Sequence, residues 1–112
     1  MKVIQAVIRR NRLDAVLDEL HRHPKLPGLT LSDVQGFGRV KNRDPLDIHK
    51  DPYQTVEMVR IECVVDDDAA DELIDVIVSQ AQTGNTGDGK ITILPAEQFV
   101  RIRTGERSDH VI

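Results

Sequence analysis

Aromatic side chains are nearly missing: the 112 residues hold one tyrosine, two phenylalanines and no tryptophan. A platform for stacking bases is therefore excluded, and any core must be aliphatic. A basic surplus is missing as well. The formal net charge is −4, where a nucleic-acid binder shows a positive stripe, so no nucleic-acid partner is expected. Cysteine occurs once, at Cys63. That excludes an intramolecular disulfide and a CxxC metal knuckle, and suits a reducing compartment. No apolar run approaches the length of a membrane span. Gln5 and Arg9-Arg10 interrupt the opening segment, so no leader is expected. Together these absences predict a soluble, cytoplasmic protein, and the length fits one domain, residues 1–112.

What is present is periodicity. "KVIQAVI" (2–8) is short and β-branched, with Ile4, Ala6 and Ile8 on one face and Val3 and Val7 on the other. Asn11 is a candidate cap for a helix whose stripe is Leu13, Val16, Leu17 and Leu20, ending near His23 because Pro24 follows. "LTLSDVQGFG" (29–38) predicts a second strand, and the polar stretch 39–57 a long loop. "MVRIECVV" (58–65) alternates, placing Val59, Ile61, Cys63 and Val65 inward and Arg60 and Glu62 opposite. The acidic run at 66–68 starts a second helix with a stripe of Ala70, Leu73, Ile74, Ile77 and Ala81, ended by Gly84. "KITIL" (90–94) is a fourth strand, and 96–112 a tail. The order βαββαβ predicts a ferredoxin-like α+β fold, an antiparallel sheet with two helices on one face. Its other face, bearing Val3, Val7, Met58 and Val64, would be buried by oligomerisation.

"TGNTGDGKI" (83–91) is the stretch with chemistry in it. Glycines at 87 and 89 let backbone N–H groups approach an anion without a Cβ in the way. Lys90 adds a point charge. In "RIRTGE" (101–106), Arg101 and Arg103 stand two apart, so an extended backbone would aim both to one side. Arginine binds phosphate with a planar fork. Arg39 is a further phosphate candidate. Taken alone, the glycine stretch reads first as an ordinary helix-to-strand connection.

Three segments in order, "QGFGR" (35–39), "TGNTGDGKI" and "RIRTGE", with the opening "MKVIQAVIRRNRLDAV", resemble the PII signal-transduction proteins over essentially the whole chain. The resemblance implies a homotrimer with ATP or ADP in clefts between neighbouring subunits, Mg²⁺ being possible alongside. It places adenine near Val7, Thr30, Glu62 and Val64, with Gly36 and Phe37 alongside. Gly38 and Arg39 complete the first motif, and Gly87, Asp88, Gly89, Lys90, Arg101 and Arg103 complete the phosphate side. A family element called the T-loop, here about 38–57, would touch a partner, a membrane transporter or a regulatory enzyme. The γ-phosphate reaching Arg39 would make that loop read ATP against ADP.

Two positions depart from the family pattern. Val40 stands where 2-oxoglutarate sensors usually carry a glutamine that helps hold Mg²⁺, and Met58 where they carry a lysine for a 2-oxoglutarate carboxylate. Both carboxylates would be desolvated without matched partners, so the usual 2-oxoglutarate site is not expected. The T-loop sequence also differs, and Tyr53 does not align with the tyrosine that some members have modified.

Other readings remain open. Asp47, His49 and Asp51 alternate and are suitable donors for Zn²⁺ or a similar ion, which would suit a metal-responsive trimer linked to metal transport; a solvated loop is the plainer account. A weak nucleotide hydrolase would need a carboxylate, and Asp88 is the obvious candidate, but a regulatory module, not an enzyme, is the leading reading. His21 and His23 suit a helix C-terminus, Cys63 a buried apolar position, and "RRNR" (9–12) a surface basic patch.

Overall fold

The computed structural model describes residues 1–39 and 53–111. Strand β1 (Lys2–Arg9) is followed by a single 3-10 turn, Arg10–Arg12, and helix α1 (Leu13–Arg22). Then come β2 (Thr30–Arg39), β3 (Tyr53–Val65), helix α2 (Asp67–Ala81) and β4 (Gly89–Pro95). The order in the sheet is β2-β3-β1-β4, all antiparallel. This is the expected ferredoxin-like arrangement, with the N-terminal strand in the sheet interior.

Alternation in the sequence decides what is buried. Ile4, Ala6 and Ile8 of β1 and Ile61, Cys63 and Val65 of β3 form one cluster with Val16 and Leu20 of α1 and Ala70, Leu73, Ile77 and Ala81 of α2. Every buried residue among those described is apolar. The opposite sheet face has no helix in this cluster. Val3, Val7 and Val64 are half-buried there, and Gln5 donates to Glu62 at 3.2 Å across β1 and β3. Met58 falls on this face by register, opposite Val34, but is buried. Its Cγ lies 3.4 Å from where a Cβ on Gly36 would stand.

Several local expectations change. Asn11 is not a cap: it lies inside the 3-10 turn, and α1 begins after Arg12 without a side-chain cap. The α1 stop at His23 stands, its N–H bonded to the Leu20 carbonyl at 3.0 Å. His23 Nε2 also lies 2.8 Å from Glu72 of α2, so its partner is a neighbouring helix rather than its own C-terminus. α2 ends at Gln82, where the backbone turns extended, two residues before Gly84. Gly84, at φ +85°, serves the following loop instead. The acidic run joins three segments: Asp66 accepts the Val111 N–H at 2.9 Å, Asp67 pairs with the N-terminal amine at 3.1 Å, and Asp68 with Lys25 at 3.5 Å.

The long polar stretch is shorter than expected. Residues 53–57 belong to β3, and the β2–β3 ladder runs on from Gln35↔Glu57 to Arg39↔Tyr53, past the point where β1 stops at Arg9↔Met58. Tyr53, Thr55 and Val56 have side chains that favour strands. The result is a two-stranded ribbon beyond the sheet body. The expected tail is also structured, with β5 (Phe99–Val100) pairing with β6 (Arg107–Ser108).

Candidate functional site

Between α2 and β4 the glycine stretch folds around one carboxylate. Asp88 accepts the Thr83 N–H at 2.8 Å, the Gly84 N–H at 2.9 Å, the Thr83 hydroxyl and the Arg9 Nε–H at 3.0 Å. These donors, Thr83 foremost, hold its carboxyl well below the usual carboxylate range. Arg9 Nη2 also donates to the Thr86 carbonyl at 2.8 Å. Asp88 is thus the internal knot of the loop. A carboxylate so occupied is a poor base, and the hydrolase reading loses its candidate.

Gly89 shows why this sequence must be glycine. Its φ is +112°, and a Cβ there would stand 1.8 Å from the Val7 carbonyl oxygen. Gly87, at φ +96°, lies under Arg9, whose Nη2 would be 3.3 Å from a Cβ. Lys90 follows on the open face of the sheet, paired with Val7, and is exposed. Val7, Asp88, Gly89 and Lys90 share the wall of one cavity of about 430 Å³, extended by apolar residues of α2 and β4.

Thr30, Glu62, Val64 and Arg101 meet elsewhere. They line a second cavity of about 320 Å³ with Gly28 and Phe99. Thr30 faces Glu62 in the β2–β3 register. Arg101 is brought there by the C-terminal hairpin and stacks 6.0 Å above the Phe99 ring. The extended geometry expected for 101–103 is replaced by a turn. The Arg101 N–H bonds to Glu106 at 2.9 Å, Gly105 N–H bonds back to Arg101 at 2.7 Å, and Arg103 is exposed on the turn.

One chain therefore does not gather the whole predicted set. The Val7–Lys90 group is at the β4 edge and the Thr30–Arg101 group starts from the β2 edge. The edges are three strand spacings apart, about 14 Å at ~4.8 Å each. Gly36, Phe37, Gly38 and Arg39 lie on the ribbon, where Phe37 is 69% exposed and Gly36 rests against Met58. Val40, Asp47, His49 and Asp51 lie outside the described residues. Among the described residues no group of three His, Cys, Asp or Glu side chains could hold a metal ion.

Sequence reasoning missed the arginines of "RRNR". Besides Arg9, Arg10 pairs with Asp33 at 2.6 Å and reaches Glu57 at 3.9 Å, bracing both strands at the ribbon root. Arg12 Nε donates to the Gln80 carbonyl at 2.7 Å at the end of α2. The basic patch is a bracket between segments. Phe99 was also missed, and no spacing in the sequence places it beside Thr30.

Cys63 is buried as expected. Burial, helped by the Glu62 charge, pushes its thiol up to about 11. The folded thiol stays protonated while an unfolded one ionises near 9.0, so this group's contribution to stability is full below pH 9 and fades between pH 9 and about 11. A thiol reagent at pH 8 is expected to label Cys63 slowly in the native protein and fully after denaturation. Rapid native labelling would show the thiol to be accessible.

Among known proteins, residues 1–106 match the family model described as Nitrogen regulatory protein P-II. The chain is 41% identical to the Nitrogen regulatory protein P-II of Nostoc punctiforme and 42% identical to that of Synechocystis sp., over the full length of both chains in each case. It is 40% identical to Nitrogen regulatory protein P-II 1 of Escherichia coli, again over both full lengths. Among the described residues no helix is long and apolar enough to cross a membrane.

Proposed function

The chain belongs to the nitrogen regulatory protein P-II family, whose members are signalling regulators rather than enzymes, and from that premise we propose that it senses adenine nucleotides and signals through its β2–β3 ribbon. The ligand is ATP or ADP. Phosphates lie against the backbone of Gly87 and Gly89 and against Lys90, and the adenine and remaining phosphate contacts come from Thr30, Glu62, Val64, Arg101 and Arg103.

The observation that supports this reading is the close approach at Gly89. A left-handed glycine pressed onto the Val7 carbonyl, followed at once by an exposed lysine, is a backbone cradle with a cation at its rim. The two groups of site residues stand on opposite edges of one sheet. A head-to-tail contact between copies brings one edge to the other, and such contacts make a ring where the rotation closes. A trimeric ring matches the homotrimer implied by resemblance and covers the face bearing Val3, Val7 and Val64. The ribbon and the stretch it leads to, residues 38–57, meet the partner, a membrane transporter or a regulatory enzyme. Arg39 at the ribbon end reads the γ-phosphate. With Val40 and Met58 at the two positions, nucleotide binding is independent of 2-oxoglutarate.

Calorimetric titration with Mg²⁺ and ATP, then with ADP, AMP and added 2-oxoglutarate, tests this. Lys90→Ala and Arg101→Ala are each expected to weaken ATP binding about tenfold or more, since each removes a charge-assisted contact. No nucleotide binding by the unaltered protein would overturn the proposal. Strong coupling to 2-oxoglutarate would overturn its independence from that ligand.

A further inference from the structure

The glycine loop has a peculiarity that its ligand chemistry does not explain. Apart from the turn at Thr86–Gly87, backbone-to-backbone hydrogen bonds do little to tie 83–88 together. The segment contains glycines at φ +85° and +96° and leads directly into the +112° of Gly89. Left to itself such a segment samples many conformations, and a ligand would have to order it at the cost of affinity. Beyond that turn it is held mainly by side chains. Two backbone N–H groups and one hydroxyl from Thr83 and Gly84 converge on Asp88. The far end is gripped by Arg9, whose guanidinium spans Asp88 and the Thr86 carbonyl across Gly87. Arg9 is the last residue of β1, and the Val7 carbonyl two residues earlier is the group that Gly89 approaches. One strand end therefore fixes the loop twice, by contact at Gly89 and by ion pairing at Asp88.

We propose that Asp88 and Arg9 are positioning residues that preorganise the glycine loop for phosphate, a proposal resting on the nucleotide reading of this loop. Neither needs to touch the ligand. Asp88 gathers the N-terminal half of the loop, and Arg9 anchors that half to the sheet. The guanidinium also covers Gly87, so the cradle opens away from Arg9.

The test uses the full-length protein and the variants Asp88→Asn, Arg9→Gln and Arg9→Lys. Asparagine keeps the shape but presents an amide where several donors converge. Lysine keeps the charge but lacks the fork that spans two acceptors. Hydrogen exchange without nucleotide reads loop order, and calorimetry reads affinity for ATP and AMP. In Asp88→Asn, protection of the Thr83 and Gly84 amides is expected to fall about tenfold or more while β1 and β3 amides are unchanged. ATP affinity should fall about tenfold and AMP affinity by less than about twofold, because AMP lacks the outer phosphates the loop receives. Arg9→Gln should act in the same direction, and Arg9→Lys should recover part of the loss.

The outcomes separate the two ideas. If the unaltered protein binds ATP and Asp88→Asn binds it equally well, the nucleotide reading stands and the positioning proposal falls. Unchanged loop exchange in Asp88→Asn also overturns it. Equal losses for ATP and AMP would make the effect a general structural one and overturn the phosphate-specific role. If the unaltered protein binds no ATP, yet Asp88→Asn frees the loop amides, the nucleotide reading fails while the ordering role of the pair stands.

Discussion

Gly89→Ala is expected to detach the start of β4 from β1. An ideal Cβ at this position stands 1.8 Å from the Val7 oxygen and 2.9 Å from the Val7 carbonyl carbon. Both atoms are backbone in the interior strand of the sheet, so neither can swing aside as a flexible side chain would. The φ of +112° adds a conformational cost of about 1–3 kcal/mol for any residue with a Cβ. Ile8↔Gly89 is the first pair of the β1–β4 ladder, and displacing it disturbs Lys90 and Ile91 behind it. The combined cost is about 3 kcal/mol or more, which lowers the melting temperature of a domain this size by more than about 12 °C. Gly84→Ala is the control. Gly84 also has positive φ, at +85°, but nothing stands within 4 Å of its added Cβ. Only the backbone cost remains, about 1–2 kcal/mol. Thermal melts of the two variants separate the requirement for close approach from the requirement for φ. Equal shifts would remove the steric argument, and with it the account of why this loop ends in glycine.

The second large effect lies in the core. Ile61→Ala should cost about 2–5 kcal/mol. Ile61 is fully buried, in a strand flanked on both sides, facing Ala6 on β1 and Leu31 on β2. Ala6 is too small to fill the vacated volume, and the core has no tryptophan or tyrosine to repack into it. Chemical denaturation, read as a midpoint shift at constant slope, measures this loss. A shift below about 1 kcal/mol would mean that α1 or α2 settles onto the sheet and closes the cavity.

How much of this was legible depended on sequence distance. Alternation in β1 and β3 and the α2 stripe from Ala70 to Ala81 gave the inner face correctly, because period-2 and period-3.6 patterns are local. The glycine stretch was legible for the same reason, as a connection between α2 and β4. What failed were features set by partners far along the chain. Arg9 and Asp88 are 79 positions apart, so a basic run read as surface is in fact a bracket. Asp88 looked like a free carboxylate because two of its donors are backbone groups, which residue types do not reveal, and a third is the distant Arg9. Arg101 and Arg103 read as extended, but the turn closed by Gly105 separates them. Residues 53–57 read as loop because two Asp-Pro pairs dominate the surrounding composition. Cross-strand pairing with 35–39 overrides that tendency. The division of the candidate site residues between two sheet edges needs the strand order, which no single segment contains.

That division has a genetic consequence. If each site takes Lys90 from one subunit and Arg101 from the next, a ring of Lys90→Ala chains and a ring of Arg101→Ala chains are both defective at every junction. Mixing the two chains changes this. Wherever an Arg101→Ala subunit offers its intact Lys90 to the intact Arg101 of a Lys90→Ala neighbour, a complete site returns. In a closed ring of three, any mixed composition has one such junction and two without it. Two alleles that each weaken binding should therefore complement when coexpressed, and each mixed ring should recover one strong site and no more.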